Sequence, residues 1–311
     1  MSAIVTGAAA PAAPTATRRP RGGLWRAVLH NRKAMVGVGL LVLFVLLAAF
    51  PHLFVPWLHG DPRAIGDMPL AKPSSEHWLG TTGLGQDVYA ELIYSTRESL
   101  IIAVVAGLGA TILSVIIGVS AAYLGGYADD ALSMLTDIFL VLPTFPLIIV
   151  LATYAGKGNL TVIIVVLILT GWSYGARQMR AQALSLRNRD FVESAKVRGE
   201  RPTYVIFREV LPTMTSLIVA NFLGAALYSV LTAAGLQFLG LGDPNSLSWG
   251  TMLYWAQNQG ALVNGLPAWA LSPGLAVALL GVSFALLNYA FDEISNPALR
   301  PVRRRRARSA S

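Results

Sequence analysis

Residues 190–212 read DFVESAKVRGERPTYVIFREVLP, a polar, basic interlude between blocks of lipid-like sequence. Asp190 is placed to cap a helix whose third residue, Glu193, completes a variant of the capping box. Gly199 stands where a left-handed glycine would close that helix. Pro202 suits the first turn of a second short helix, and Pro212 marks the end of that helix or a kink. The stretch therefore reads as two short helices about a glycine turn. A helix of about two turns is marginal by itself in water, so something outside the stretch must hold it.

The flanks supply the setting. The 311 residues are 54% hydrophobic and only 13% charged, with mean hydropathy +0.57. The apolar residues fall in six blocks, at 35–50 (extending toward 55), 100–124, 132–154, 160–174, 213–239 and 273–291. Each approaches the ~20 residues needed to cross ~30 Å of hydrocarbon, the fourth being short. The expected fold is an all-α polytopic membrane protein with six transmembrane helices. A cleaved signal peptide is the rival reading of the first block, disfavoured by the long tail before it and the spans after it. Residues 1–33 form a basic tail whose Ala/Pro-rich start is expected to be disordered. Residues 34–98 hold the first span and an extracytoplasmic segment, 99–292 the core with its polar loop at 177–212, and 293–311 a second basic tail.

Of the 24 Lys and Arg, twenty lie in the two tails and in 177–208. With six spans these three regions share one face, and the bias of basic residues toward the cytoplasm places both termini and the 190–212 stretch there. The net charge of +8 thus reflects topology and contact with anionic lipid headgroups, not nucleic-acid binding. The absence of cysteine excludes disulfides and thiolate chemistry. There is no GxxxxGK[ST] phosphate loop and no HExxH, and the four histidines (His30, His52, His59, His77) lie outside the spans. No catalytic cluster, cofactor site or metal site is expected. Nor do the spans carry the chain of acidic residues that a proton or sodium relay needs; Asp137, Asp292 and Glu293 fall near interfaces. A transporter so equipped needs an external energy source, which makes 190–212 a docking element.

Glu193-Ser194-Ala195, Gly199 and Leu211-Pro212 resemble, in kind and spacing, the EAA motif of permease subunits in bacterial ATP-binding-cassette importers. His77-Trp78-Leu79-Gly80-Thr81, Gly85 with Asp87, Leu142-Pro143, 238–242 (FLGLG) and Ser248-Trp249-Gly250 are similar to the second permease of the dipeptide/oligopeptide/nickel branch, in the same order, over about residues 24–302. The chain departs from that branch at Gln86 (usually Arg), Glu209 (usually His), Thr213 (usually Asn) and 291–296. The resemblance implies a type I, MetI-like permease fold in the bacterial cytoplasmic membrane. It implies a homologous second permease as partner, two ATPase subunits that bind ATP and Mg, and an extracytoplasmic solute-binding protein. It implies that the 190–212 loop docks in an ATPase cleft, with Asp190, Phe191, Glu193, Ser194, Ala195, Arg198, Gly199, Leu211 and Pro212 as coupling residues. Peptides are the branch's usual cargo; oligosaccharides of the cello-oligosaccharide type and metal chelates are the alternatives. An ion-coupled secondary transporter is the alternative from another class.

Phe191, Val192 and Ala195 form the expected apolar face of the coupling helix. Gly107, Gly109, Ala110, Ser114 and Gly118, with Gly224 and Ala225, are expected at close helix contacts. Pro143 and Pro146 are placed to kink the third span. Asn221, Tyr228, Gln237 and Asn288 are polar groups within spans, so they line the translocation pathway or bond between helices. Trp78, Trp249, Trp255 and Trp269 sit in the outward segments, as interfacial anchors or as contacts for the solute-binding protein.

Overall fold

A computed structural model describes residues 31–55, 61–66, 68–154 and 159–295, the last four of them without their side chains. The basic tails at 1–30 and 296–311, Lys157, and the side chains of Asp292 and Glu293 lie outside the described residues.

The described chain is helical. Helix α1, Arg32–Ala49, starts at Asn31, whose side chain accepts from the Lys33 N–H at 3.0 Å. It stops before Pro51, which cannot donate to a continuing ladder and opens the short turn Pro51–Phe54. Helix α2, Val88–Leu124, has 37 residues and is therefore about 55 Å long, far more than ~30 Å of hydrocarbon requires. It begins twelve residues before the expected start at 100, because Asp87 caps it: Oδ1 accepts from the Ala90 N–H at 2.8 Å. The added turns carry Glu91, Arg97 and Glu98. The 68–87 turn builds this cap. His77 Nδ1 sits 2.7 Å from the other Asp87 oxygen, and Thr81 Oγ1 donates to the Met68 carbonyl at 2.6 Å.

The third block is two helices, α3 (Gly126–Val141) and α4 (Thr144–Tyr154), bent by 91°. The cause is local: Leu142 precedes Pro143 and is held in extended conformation (ψ 134°), which ends the helix. The fourth block is also broken. Helices α5 (Leu160–Gly171) and α6 (Ser173–Arg187) meet at a 41° bend, and α6 runs on well past the expected end at 174. Helix α7, Asp190–Val197, follows. Helix α8, Thr215–Phe238, is the fifth block. Between the fifth and sixth blocks lies α9, Trp249–Asn258. The final helix, α10, Pro267–Ser295, starts six residues before the expected Pro273. Among the described residues four helices are long and apolar enough to cross a membrane, and up to six spans result if each bent pair counts as one.

Helix α2 is the axis of the bundle, with α6, α8, α5 and α1 packed around it. Close approach is possible because glycines face the neighbours' backbones. A Cβ on Gly107 would stand 2.8 Å from the Ala226 Cα of α8, and one on Gly118 would strike the Ala176 carbonyl and lie 2.8 Å from the Met179 Cβ of α6. Gly109 meets the Ile168 side chain of α5. Ser114 adds a polar tie: its hydroxyl lies 2.7 Å from both the Ala110 carbonyl and the Trp172 carbonyl at the α5–α6 bend. Helix α3 is joined to α6 by a two-pronged pair, Arg180 Nε and a terminal nitrogen to the two Asp129 oxygens at 2.6 and 2.8 Å. Arg177 and Asp137 pair at 2.6 Å, one turn away on α6 and about two turns away on α3, in the open.

These contacts make a contrast testable in detergent. Gly118→Val should separate α2 from α6 and destabilise the fold by roughly 1–3 kcal/mol, read as a lowered unfolding midpoint. Gly39→Val on α1, where nothing lies within 4 Å of the new Cβ, should leave the midpoint unchanged.

Candidate functional site

The 190–212 stretch folds as a hairpin of short helices, although its start differs from the expected capping box. The N-cap is Arg189, with no side-chain cap bond; its carbonyl instead takes the Val192 and Glu193 N–H groups at 2.9 and 3.0 Å. Asp190 and Glu193 occupy the first turn, where negative charge complements the helix dipole. The end follows the sequence closely. Gly199 has φ +78°, its N–H bonds the Lys196 carbonyl at 2.9 Å, and the Glu200 N–H bonds the Ala195 carbonyl at 3.2 Å. This is a Schellman closure. Pro202 opens the turn Pro202–Tyr204, and the chain then takes a π-helical form over Val205–Val210 before the turn Leu211–Thr213. Pro212 accounts for the widening: it offers no N–H to the carbonyl four residues back and its ring crowds that carbonyl.

What holds the hairpin is the chain itself. Val192 and Ala195 are 0% exposed. They pack with Val205, Val210 and Met214 against Val119 and Ala122 of α2 and Met179 and Ala183 of α6. The expected apolar face is thus split: Val192 and Ala195 point inward, and Phe191 points outward. The outward surface also carries Val197 at 83% exposure, Phe207 at 69% and Tyr204. Among these apolar groups stand the exposed Arg189, Glu193, Ser194, Lys196, Arg198, Arg201 and Arg208. Leu211 is half-buried against the inner cluster, and Pro212 is exposed. Exposed apolar side chains grouped within a charged rim are what a partner's surface requires.

Three of the four pathway candidates meet in one place. Asn221, Tyr228 and Asn288 line a cavity of about 480 Å³, with Gln178 and the residues at both helix breaks, Thr144 and Ser173. Gly224 and Ala225 line it too, so they leave room for the cavity; Gly224 has only the Asn288 amide near it, at 3.9 Å. Gly175 lets α6 lie against Asn221 and the Ser114 hydroxyl, both of which an added Cβ would strike. Gln237 is elsewhere. Buried at the opposite end of α8, its Oε1 accepts from the Ser248 hydroxyl at 2.9 Å, and Ser248 with Thr251 forms the capping box of α9. The 238–242 and 248–250 blocks therefore serve the fold of that end.

The tryptophans divide as well. Trp78 is exposed and lies 4.9 Å from the Tyr89 ring. Trp249 and Trp269 are fully buried, Trp249 donating its ring N–H to the Leu92 carbonyl at 3.2 Å, so these two are core residues and not interfacial anchors. Sequence reasoning missed Glu91, because hydropathy trims a helix to its apolar part; the Asp87 cap was the available signal.

With this geometry the chain can be set beside known proteins. Residues 114–300 match the family described as binding-protein-dependent transport system inner membrane component, and residues 20–73 match the N-terminal transmembrane domain of oligopeptide transport permease C. The oligopeptide transport system permease protein OppC of Mycobacterium tuberculosis is 30% identical over 283 residues, 90% of this chain and 95% of that one. The glutathione transport system permease protein GsiD of Pectobacterium atrosepticum is 31% identical over 284 residues, 91% and 93%. OppC of Bacillus subtilis is 32% identical over 235 residues, 74% and 76%. Among solved structures, a chain of the inward-facing MetNI methionine ABC transporter superposes with a TM-score of 0.53 at 18% identity, covering 68% of this chain and 97% of that one, a likeness of fold. The chain belongs to the family of binding-protein-dependent transport system inner membrane components, as a multi-pass transport permease.

Proposed function

We propose that this chain is one of two homologous permeases in an ATP-driven peptide importer of the bacterial cytoplasmic membrane. Its partners are a second permease, two ATPase subunits that bind ATP and Mg, and an extracytoplasmic solute-binding protein. The observation that carries the reading is the 190–212 hairpin: its inner face is fastened to α2 and α6, while its outer face presents Phe191, Val197, Tyr204 and Phe207 among basic groups. The basic residues of 177–208 favour the cytoplasmic side for that face, where an ATPase would meet it. Relatives named for oligopeptide and glutathione transport favour peptides over oligosaccharides or metal chelates.

The mechanism follows from what the hairpin is attached to. Val192 and Ala195 sit in the crease between α2 and α6, so a displacement of the hairpin is delivered to both helices and not absorbed by a flexible loop. Helix α6 bears Ser173, Gly175 and Gln178 on the cavity wall, and α2 holds the α5–α6 bend through Ser114. ATPase closure thereby biases the bundle between inward- and outward-open arrangements, each packed internally but differing at the cavity. Asn221, Tyr228 and Asn288 offer hydrogen bonds to a peptide backbone in transit.

Two variants test the reading in proteoliposomes holding the assembled transporter and its binding protein, with uptake of labelled tri-alanine as readout. Gly199→Val forces a β-branched residue to φ +78°, a strain of about 1–3 kcal/mol at a position where nothing lies within 4 Å of the new Cβ. ATP-driven uptake should fall at least about fivefold, the factor that ~1 kcal/mol represents, with membrane insertion unchanged; normal uptake would remove the hairpin from coupling. Gly224→Leu extends a side chain into the open cavity. Transport should be lost while the complex still assembles and hydrolyses ATP, whereas undiminished transport would place the pathway elsewhere.

A further inference from the structure

Helix α3 has one buried residue, Thr136, while its Tyr127, Met134 and Val141 are at least 65% exposed. A helix with so few buried contacts is fixed only weakly by packing. It also lies between two breaks in the chain. At one end Gly125 and Gly126 have φ +66° and +53°, left-handed values that glycine adopts at little cost. At the other, Leu142 and Pro143 turn the chain through 91°. Between α3 and its neighbours lies an open crevice of about 310 Å³, walled by Gly118 and Ala121 of α2, Ser133 and Thr136 of α3, and Ala176 of α6. Where packing leaves a gap, the two ion pairs between α3 and α6 set the spacing.

The two pairs are unequal. The side chains of Asp129 and Arg180 are 16% and 36% exposed, those of Asp137 and Arg177 62% and 59%, and a pair in the open contributes little. Arg180 holds Asp129 through two bonds, which fixes orientation as well as distance, and Ser133 donates to the same carboxylate at 3.2 Å. Arg187, also on α6, donates to the Ala122 carbonyl of α2 at 3.1 Å. Helix α6 therefore holds the chain on both sides of the two glycines. Its Met179 and Ala183 carry the hairpin's Val192 and Ala195. At the far end of α3, Phe139 and Leu140 line the central cavity, the Phe139 ring 5.2 Å from that of Trp172. We propose that Asp129 and Arg180 are positioning residues of the transport cycle: they make α3 follow α6 about the Gly125–Gly126 joint, so that a push on the hairpin moves Phe139 and Leu140 at the cavity wall. Asp129 stands in the first turn of α3 and Leu140 about 17 Å further along, so a small rotation at the joint is enlarged at the cavity. A joint of two residues is enough to absorb such a rotation. The proposal rests on the importer reading and adds α3 to α6 as a moving wall.

Two readouts test it. The chain lacks cysteine, so nitroxide labels can be attached at Val141→Cys on α3 and Leu275→Cys on α10, both exposed positions, in the full-length permease in lipid nanodiscs. The labelled chain, otherwise unaltered, should give one narrow distance distribution by double electron–electron resonance. Asp129→Asn and Arg180→Gln should each broaden it, their combination no further than either alone. Asp129→Glu, which keeps the charge, should restore it. In proteoliposomes holding the assembled transporter and its binding protein, Asp129→Asn should lower the tri-alanine moved per ATP hydrolysed at least about fivefold, the lower end of coupling between sites, and Asp129→Glu should recover most of the loss. A purely structural role would lower uptake and hydrolysis together and leave their ratio as it was. An unchanged ratio would overturn the proposal, as would a distance distribution unaltered in both single variants. Should Asp129→Asn fail to fold, Arg180→Gln decides both readouts. Failure of the importer reading itself shows as no tri-alanine uptake by the unaltered complex, on which the distance measurement with the permease alone does not depend.

Discussion

Gly107 and Gly118 let α2 lie against α8 and α6 with no side chain between the backbones, and the rest of the bundle is arranged by that contact. In lipid the hydrophobic effect does not drive helices together, so close packing and a few polar ties must do so. Ser114 provides such a tie at the α5–α6 bend, and Arg180 with Asp129 provides another between α6 and α3. Because α2 is fixed along its length, both of its ends become platforms. One end supports the 190–212 hairpin; the other, which begins at Val88 and not near residue 100 and so adds about 18 Å, carries Glu91 beside the Asp87 cap.

The two broken spans give the central cavity its walls. A proline at 143 ends α3 by forcing Leu142 into extended conformation, and the chain turns through 91°. The α5–α6 break turns through less, and the Ser114 hydroxyl pins the carbonyl of Trp172 there. Residues next to both breaks line the same space as Asn221, Tyr228 and Asn288. Irregular backbone is tolerated at membrane depth where it faces a cavity, as it does at both of these breaks. The hairpin is fastened to α6, which walls this space, and to α2, which ties the α5–α6 bend through Ser114.

Much of this was legible in the sequence. The apolar blocks located the helices, the proline at 143 located the sharp bend, and Gly199 located the left-handed closure of α7. The capping box was misread: Asp190 and Glu193 have the right spacing, but the backbone carbonyl of Arg189 does the bonding and leaves their side chains to the solvent. The inner and outer faces of α7 were not separable, because Val192 and Ala195 differ from Phe191 only by which tertiary neighbour reaches them. Gln237 illustrates the same limit. A polar residue in an apolar helix has to bond somewhere, and only the fold reveals that Ser248, on the following helix cap, is the partner. The early start of α2 was missed because hydropathy measures the lipid-facing part of a helix and is blind to turns that continue above the membrane.

The central claim is that the outer face of the hairpin meets an ATPase while its inner face stays on α2 and α6. A photo-reactive benzoylphenylalanine at position 207 of the permease, irradiated in the assembled transporter, addresses it most directly. The account predicts a covalent adduct with an ATPase subunit from position 207 and none from the same label at position 53, on the exposed Leu53 at the far end of α1. Adducts from position 207 only with lipid or with the second permease would contradict it.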